Sequence, residues 1–166
     1  MPDILEFSRS RRTQVEHIND TTLVSNCCIQ DNLTDAFLEI TTTLPDLEIT
    51  GIRGEVRRSL FPAGAHDPEQ LKRAVGIRIG AGMTEIIQGT LGGQLAFQEF
   101  IFMLEECCHG VILSLTKDEL LKAPSDAAGQ TAFFAKMVQK NIRLYNRCAA
   151  FAPGSSLVQG IKPPQK

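Results

Sequence analysis

Asp35-Ala36-Phe37-Leu38-Glu39-Ile40-Thr41-Thr42-Thr43 is the stretch that decides the fold. Ala36, Leu38 and Ile40 fall on one side of an extended chain, against Phe37, Glu39 and Thr41 on the other. Successive side chains of a strand point to opposite faces, so this period of two marks a strand with one buried side. Leu44-Pro45-Asp46-Leu47 follows as a turn, with Pro suited to its first position and Asp to its second. Residues 48–57 then read as the returning strand, where Gly51 and Gly54 mark a bulge or twist.

Working outward, residues 13–18 and 22–29 are rich in β-branched and apolar side chains and read as two earlier strands. Asn19-Asp20 separates them, and residues 30–34 supply a second turn, so the first third of the chain reads as an antiparallel meander. The periodicity then changes. Asp67-Pro68 sets a capping residue before a proline and predicts a short helix over 68–75. A glycine-punctuated segment covers 76–82, and 83–89 reads as another short helix. Over 94–109, Phe97, Phe100, Ile101, Leu104 and Cys108 recur at spacings of three and four, with Gln98, Glu99, Glu105, Glu106 and His109 largely opposite. Gly110 suits the residue just past that helix, while the apolar run 111–115 offers to carry it further. Ser125-Asp126 opens a last helix reaching to about 148, with Phe134, Val138, Ile142, Tyr145 and Ala149 on one stripe.

Strands followed by helices, rather than alternating with them, predict an α+β fold: an antiparallel sheet of three to four strands with helices packed on one face. The expected core is Leu38, Ile40, Ile49, Ile52, Ile79, Ile101, Leu104, Phe134 and Val138. Residues 13–152 are expected to form a single domain, between a flexible arm over 1–12 and a flexible tail over 153–166 that is rich in Pro, Gly and Ser.

The 166 residues carry 17 Lys+Arg against 19 Asp+Glu, with 43% hydrophobic and 22% charged, as an ordinary soluble globular protein does. A net charge of −2 argues against a dedicated nucleic-acid binder. No apolar run approaches the roughly 20 residues of a membrane span, and residues 1–12 lack the apolar stretch of a signal peptide, so the expected compartment is the cytoplasm. The five cysteines are odd in number, include two vicinal pairs and lack Cys-x-x-Cys spacing, and so read as core thiols rather than a disulfide framework or zinc site. Cys27 and Cys28 would point to opposite faces of a strand.

Gly76-Ile77-Arg78-Ile79-Gly80-Ala81-Gly82 lacks both the dinucleotide fingerprint and the Walker ending, so its glycines read as positive-φ turns and points of close packing. Arg53, Arg57, Arg58, Lys72, Arg73 and Arg78 form a basic stretch that reads first as a solvated face and second as a cradle for an anion or an acidic partner. The Glu105-Glu106 pair beside His109 reads as a solvated helix end. No nucleophile elbow or His-Glu-x-x-His helix anchors hydrolase chemistry.

The run Val75-Gly76-Ile77-Arg78-Ile79-Gly80-Ala81-Gly82, followed by Leu91-Gly92-Gly93, resembles an uncharacterised bacterial family described only as a domain of unknown function. That family carries a VGLRIGPG loop, an LGG turn and a GCTHL helix start, and the resemblance covers residues 35–115. Its cysteine and histidine fall here on Phe97 and Glu99, and Gly64 stands near the place of its other cysteine. The order of elements is in turn similar to that of iron–sulfur cluster scaffold proteins. What the resemblance leaves of a ligand set is Glu99, with His66 two positions from the replaced cysteine.

These readings lead to a non-catalytic cytoplasmic binding or accessory protein, without a cofactor and possessing a protein partner or a homo-oligomeric contact, such as a small subunit of a larger enzyme. No nucleic acid or membrane is expected as a partner. The alternative is a metal-binding protein or metal-dependent enzyme that holds a divalent metal ion on Glu99 and His66, joined by one of Cys107, Cys108 or His109.

Overall fold

Alternation in the first half of the chain is realised as four antiparallel strands in the order β1-β2-β3-β4: β1 (Arg9–Asn19), β2 (Thr22–Asp31), β3 (Asp35–Thr43) and β4 (Glu48–Arg58). The computed structural model describes residues 7–61, 67–80, 82–93, 98–146 and 149–162. The chain divides into two compact units, one from Met1–Arg78 and Thr84–Val111, the other from Ile79–Met83 and Ile112–Lys166.

In the first unit, Leu23, Ser25, Cys27, Ile29 and Asp31 of β2 are buried, as are Ala36, Leu38, Ile40 and Thr42 of β3. The register Cys27↔Leu38 and Cys28↔Phe37 holds these residues on one face and leaves Val24, Asn26, Cys28, Phe37, Glu39 and Thr41 half-exposed on the other. A slip by one residue would turn every one of these side chains to the wrong side. Leu38 and Ile40 retain no accessible surface, and such burial is worth about 1.5–3 kcal/mol per side chain.

The first strand starts at Arg9, so residues 9–12, expected in the arm, belong to the sheet. Two anchors explain this: Arg9 stands opposite Asp31, and the Arg11 guanidinium lies 4.5 Å from the Phe102 ring centre. Between β3 and β4 the Leu44–Pro45 peptide is cis, and the positive φ of 56° falls on Leu47 rather than on Asp46. Thr41 faces Gly51 while Thr42 faces Ile49, so the expected bulge is present with Thr50 as its extra residue.

Asp67 Oδ1 accepts the Glu69 N–H and opens α1 (Pro68–Leu71), which tightens into a 3-10 turn over Lys72–Ala74. The Ile49 N–H then donates to the Ile77 carbonyl and the Gly76 N–H to the Ile49 carbonyl, so residues 76–78 run alongside β4. Gly76 and Gly82 take φ of 92° and 76°, the left-handed conformations expected of them. The following helices are α2 (Met83–Leu91) and α3 (Gln98–Leu120).

Gly110 does not end a helix; α3 passes straight through it. A Cβ at Gly110 would stand 3.0 Å from Val15 Cγ2 and 3.2 Å from Thr13 Cγ2, so the bare Cα is what lets α3 approach β1 this closely. At Gly54, Leu71 and Phe100 fill the space a side chain would take. Ser25 Oγ, fully buried, donates to the Cys107 carbonyl at 3.1 Å. The sheet thus has helices against one face, and the α+β expectation holds.

The second unit contains α3 from Ile112 onward and α4 (Ala127–Lys140), opened by Asp126 Oδ1 accepting the Gly129 N–H at 2.7 Å. That helix was expected to reach about 148. It stops because Asn141, a residue whose side chain competes with helical hydrogen bonding, adopts φ −130° and ψ 82°. Three 3-10 turns follow, Ile142–Leu144, Ala149–Phe151 and Ser156–Val158. Phe134 packs edge-on against Phe133 and tilts toward Phe151, and Met137, Val138, Leu144 and Tyr145 are buried. The last of those turns lies in the expected loose tail, yet Val158 is buried.

Of the expected core, Leu38, Ile40, Ile49, Ile79, Ile101, Leu104 and Val138 are buried, while Ile52 and Phe134 are half-buried. Among the described residues no helix is long and apolar enough to cross a membrane.

Candidate functional site

Glu99 sits in the first turn of α3, half-buried, where its Oε1 accepts the hydroxyl of buried Thr34 at 3.0 Å. His66, proposed as its companion ligand, lies outside the described residues, as do Gly64, Phe97 and Cys148. Cys107 and Cys108 are buried, and His109 Nδ1 is 4.0 Å from Glu106. Among the described residues no three His, Cys, Asp or Glu side chains are grouped to hold a metal ion.

Burial pushes the Cys27 thiol up, and pushes the Cys107 thiol far up, where the neighbouring Cys27 adds to the rise. Both are therefore protonated at neutral pH, and a thiol in that form is a poor nucleophile. Cys28 points to the opposite face, as its strand position requires, and is half-exposed.

Asp31 was not singled out by sequence reasoning. Its carboxylate accepts from Arg9 Nε at 2.6 Å, the Leu33 N–H at 2.7 Å and the Thr34 N–H at 2.6 Å, while Arg58 donates to its carbonyl at 2.7 Å. Burial alone would raise its pKa; the two N–H donors and the Arg9 guanidinium outweigh that and hold it below the ordinary carboxylate value. The arrangement clips β1 to the β2–β3 turn. Its legible signal was an aspartate opening a tight turn that ends in threonine.

The basic stretch is largely neutralised. Arg53 makes a two-pronged contact with Glu39 at 2.8 and 3.2 Å and lies over the Phe37 ring, and Arg57 pairs with Glu55 at 3.0 Å. Lys72 pairs with Glu69, Arg78 with Glu48, and Arg58 is occupied at Asp31. The solvated-face reading accounts for these residues. The open face of the sheet also bears a depression of about 480 Å³, lined by Arg12, Cys28, Asp35, Phe37 and Arg57 among others.

The second unit carries a groove of about 450 Å³ between α3 and α4. Leu115, Phe133, Met137 and Leu144 give it an apolar lining; Leu115 is 40% exposed. Lys136 and Lys140 stand four residues apart along its α4 side and make no ion pair among the described residues. Glu119, on the α3 side, is already engaged by Lys122 at 2.6 Å. The sequence hides this groove, because the continuous apolar stripe of the last helix runs through Phe134 and Val138. The neighbouring stripe Phe133, Met137 and Lys140 needs a partner from α3 to become a site.

Comparison of the chain with protein-family models, with curated proteins and with solved structures finds no match.

Proposed function

We propose that the protein is a non-catalytic cytoplasmic accessory protein that acts by binding a protein partner, in the manner of a small subunit of a larger enzyme. The observation that carries this reading is the groove lined by Leu115, Phe133, Met137 and Leu144, an apolar surface rimmed by polar groups. The sequence adds support, since Gly64, Phe97 and Glu99 replace the thiol and imidazole positions of the family the chain resembles.

The test uses the full chain as bait in an extract of the source organism, alongside Leu115→Asp. Leu115 is partly exposed, so the substitution leaves the fold intact, which circular dichroism verifies. The expected result is a stoichiometric partner retained by the wild-type chain and lost by Leu115→Asp. Identical retention by both, or turnover by the purified chain alone, overturns the proposal.

A further inference from the structure

We infer that the groove of the second unit receives an amphipathic helix bearing acidic residues one turn apart; this rests on the partner-binding reading above and names the partner's chemistry. Three observations converge. The lining is apolar where Leu115, Phe133, Met137 and Leu144 meet, which suits large aliphatic or aromatic anchors at helical spacing. Lys136 and Lys140 lie on one face of α4, about 6 Å apart along its axis, the spacing of an i, i+4 pair on the incoming helix. Neither lysine makes a direct ion pair among the described residues; the acid across the groove, Glu119, is hydrogen-bonded by Lys122 and feels Lys140 only at longer range, which leaves both ammonium groups open to a closer carboxylate.

Charge complementarity therefore selects acidic side chains, and the lysine stems extend the apolar surface beneath their ammonium groups. A second copy of the chain is a poorer occupant. A two-fold contact through this groove would gather four lysines, two from each copy, into one small interface.

The experiment uses two fluorescein-labelled synthetic helical peptides of about 18 residues, with Leu at i, i+3, i+4 and i+7. One carries a flanking Glu pair at i, i+4, and its twin carries Lys at the same positions. Anisotropy titrations against the full chain are expected to show the Glu peptide binding at least about tenfold tighter than the Lys twin, with the gap closing as salt rises from about 50 to about 500 mM. The double variant K136E/K140E, at two exposed positions, is expected to reverse the preference. Equal binding of the twins, no binding of either, or a preference that K136E/K140E leaves unchanged overturns the assignment. If that happens while Leu115→Asp still loses the partner retained from extract, the acidic-helix assignment falls and the partner-binding reading stands. Concentration-dependent dimerisation that masks the groove from both peptides also overturns it in favour of a second copy.

Discussion

On the open face of the sheet Arg53 meets Glu39 and Arg57 meets Glu55, each within hydrogen-bonding distance, whereas on α4 Lys136 and Lys140 make no direct ion pair among the described residues, and Lys140 acts on Glu119 only from a longer distance. The two regions have similar chemistry in sequence: cations interleaved with apolar residues. The difference is that cross-strand register brings Glu39 to Arg53 and the alternation of β4 sets Glu55 beside Arg57, while the groove keeps its lysines beside apolar lining. A charge that already has a partner contributes little to recognition; one beside an unfilled apolar surface is available for it.

The contrast can be broken first at the core. Leu38→Ala removes a fully buried side chain and should cost about 2–5 kcal/mol in urea unfolding, while Leu121→Ala, 85% exposed, should change stability by no more than about 0.5 kcal/mol. Gly110→Val forces Val15 and Thr13 away from α3 and should cost about 1–3 kcal/mol by the same measurement.

Asp31 sharpens the comparison through pH. Its folded pKa lies below the unfolded one, so its contribution is present above about pH 4 and is lost as pH falls through the folded value. The urea midpoint of Asp31→Asn should lie below the wild type at pH 7, and the gap should close on acidification. The smallest effect belongs to the exposed pair on the sheet: Glu55→Gln should leave the urea midpoint unchanged, because water and salt screen that contact.

The sheet was legible because a period of two survives in a single sequence; Ala36, Leu38 and Ile40 are buried as their alternation demands. The bulge was legible too, since Gly51 interrupts an otherwise regular strand. Helix ends were not. Gly110 looks like a stop in isolation, and only the packing of Thr13 and Val15 against it, almost a hundred residues earlier in the chain, gives it an interior role. Asn141 ended α4 where the apolar stripe through Ile142 and Tyr145 suggested continuation. The groove was hidden for a related reason: Leu115 and Phe133 belong to different helices, and no spacing within one segment reports that they face a common space. The basic stretch reads as a solvated face in the sequence, but its pairings do not show there, because Glu39 becomes the partner of Arg53 only once β3 and β4 are in register.

The central claim is that the partner binds on the helical unit and not on the sheet. Backbone amide shift mapping of the isotope-labelled full chain, titrated with the Glu-bearing peptide, tests it most directly. The account predicts shifts that concentrate at Leu115, Lys136, Met137, Lys140 and Leu144 and leave Cys28, Phe37 and Arg57 in place. Shifts confined to the open face of β1–β4 would contradict it.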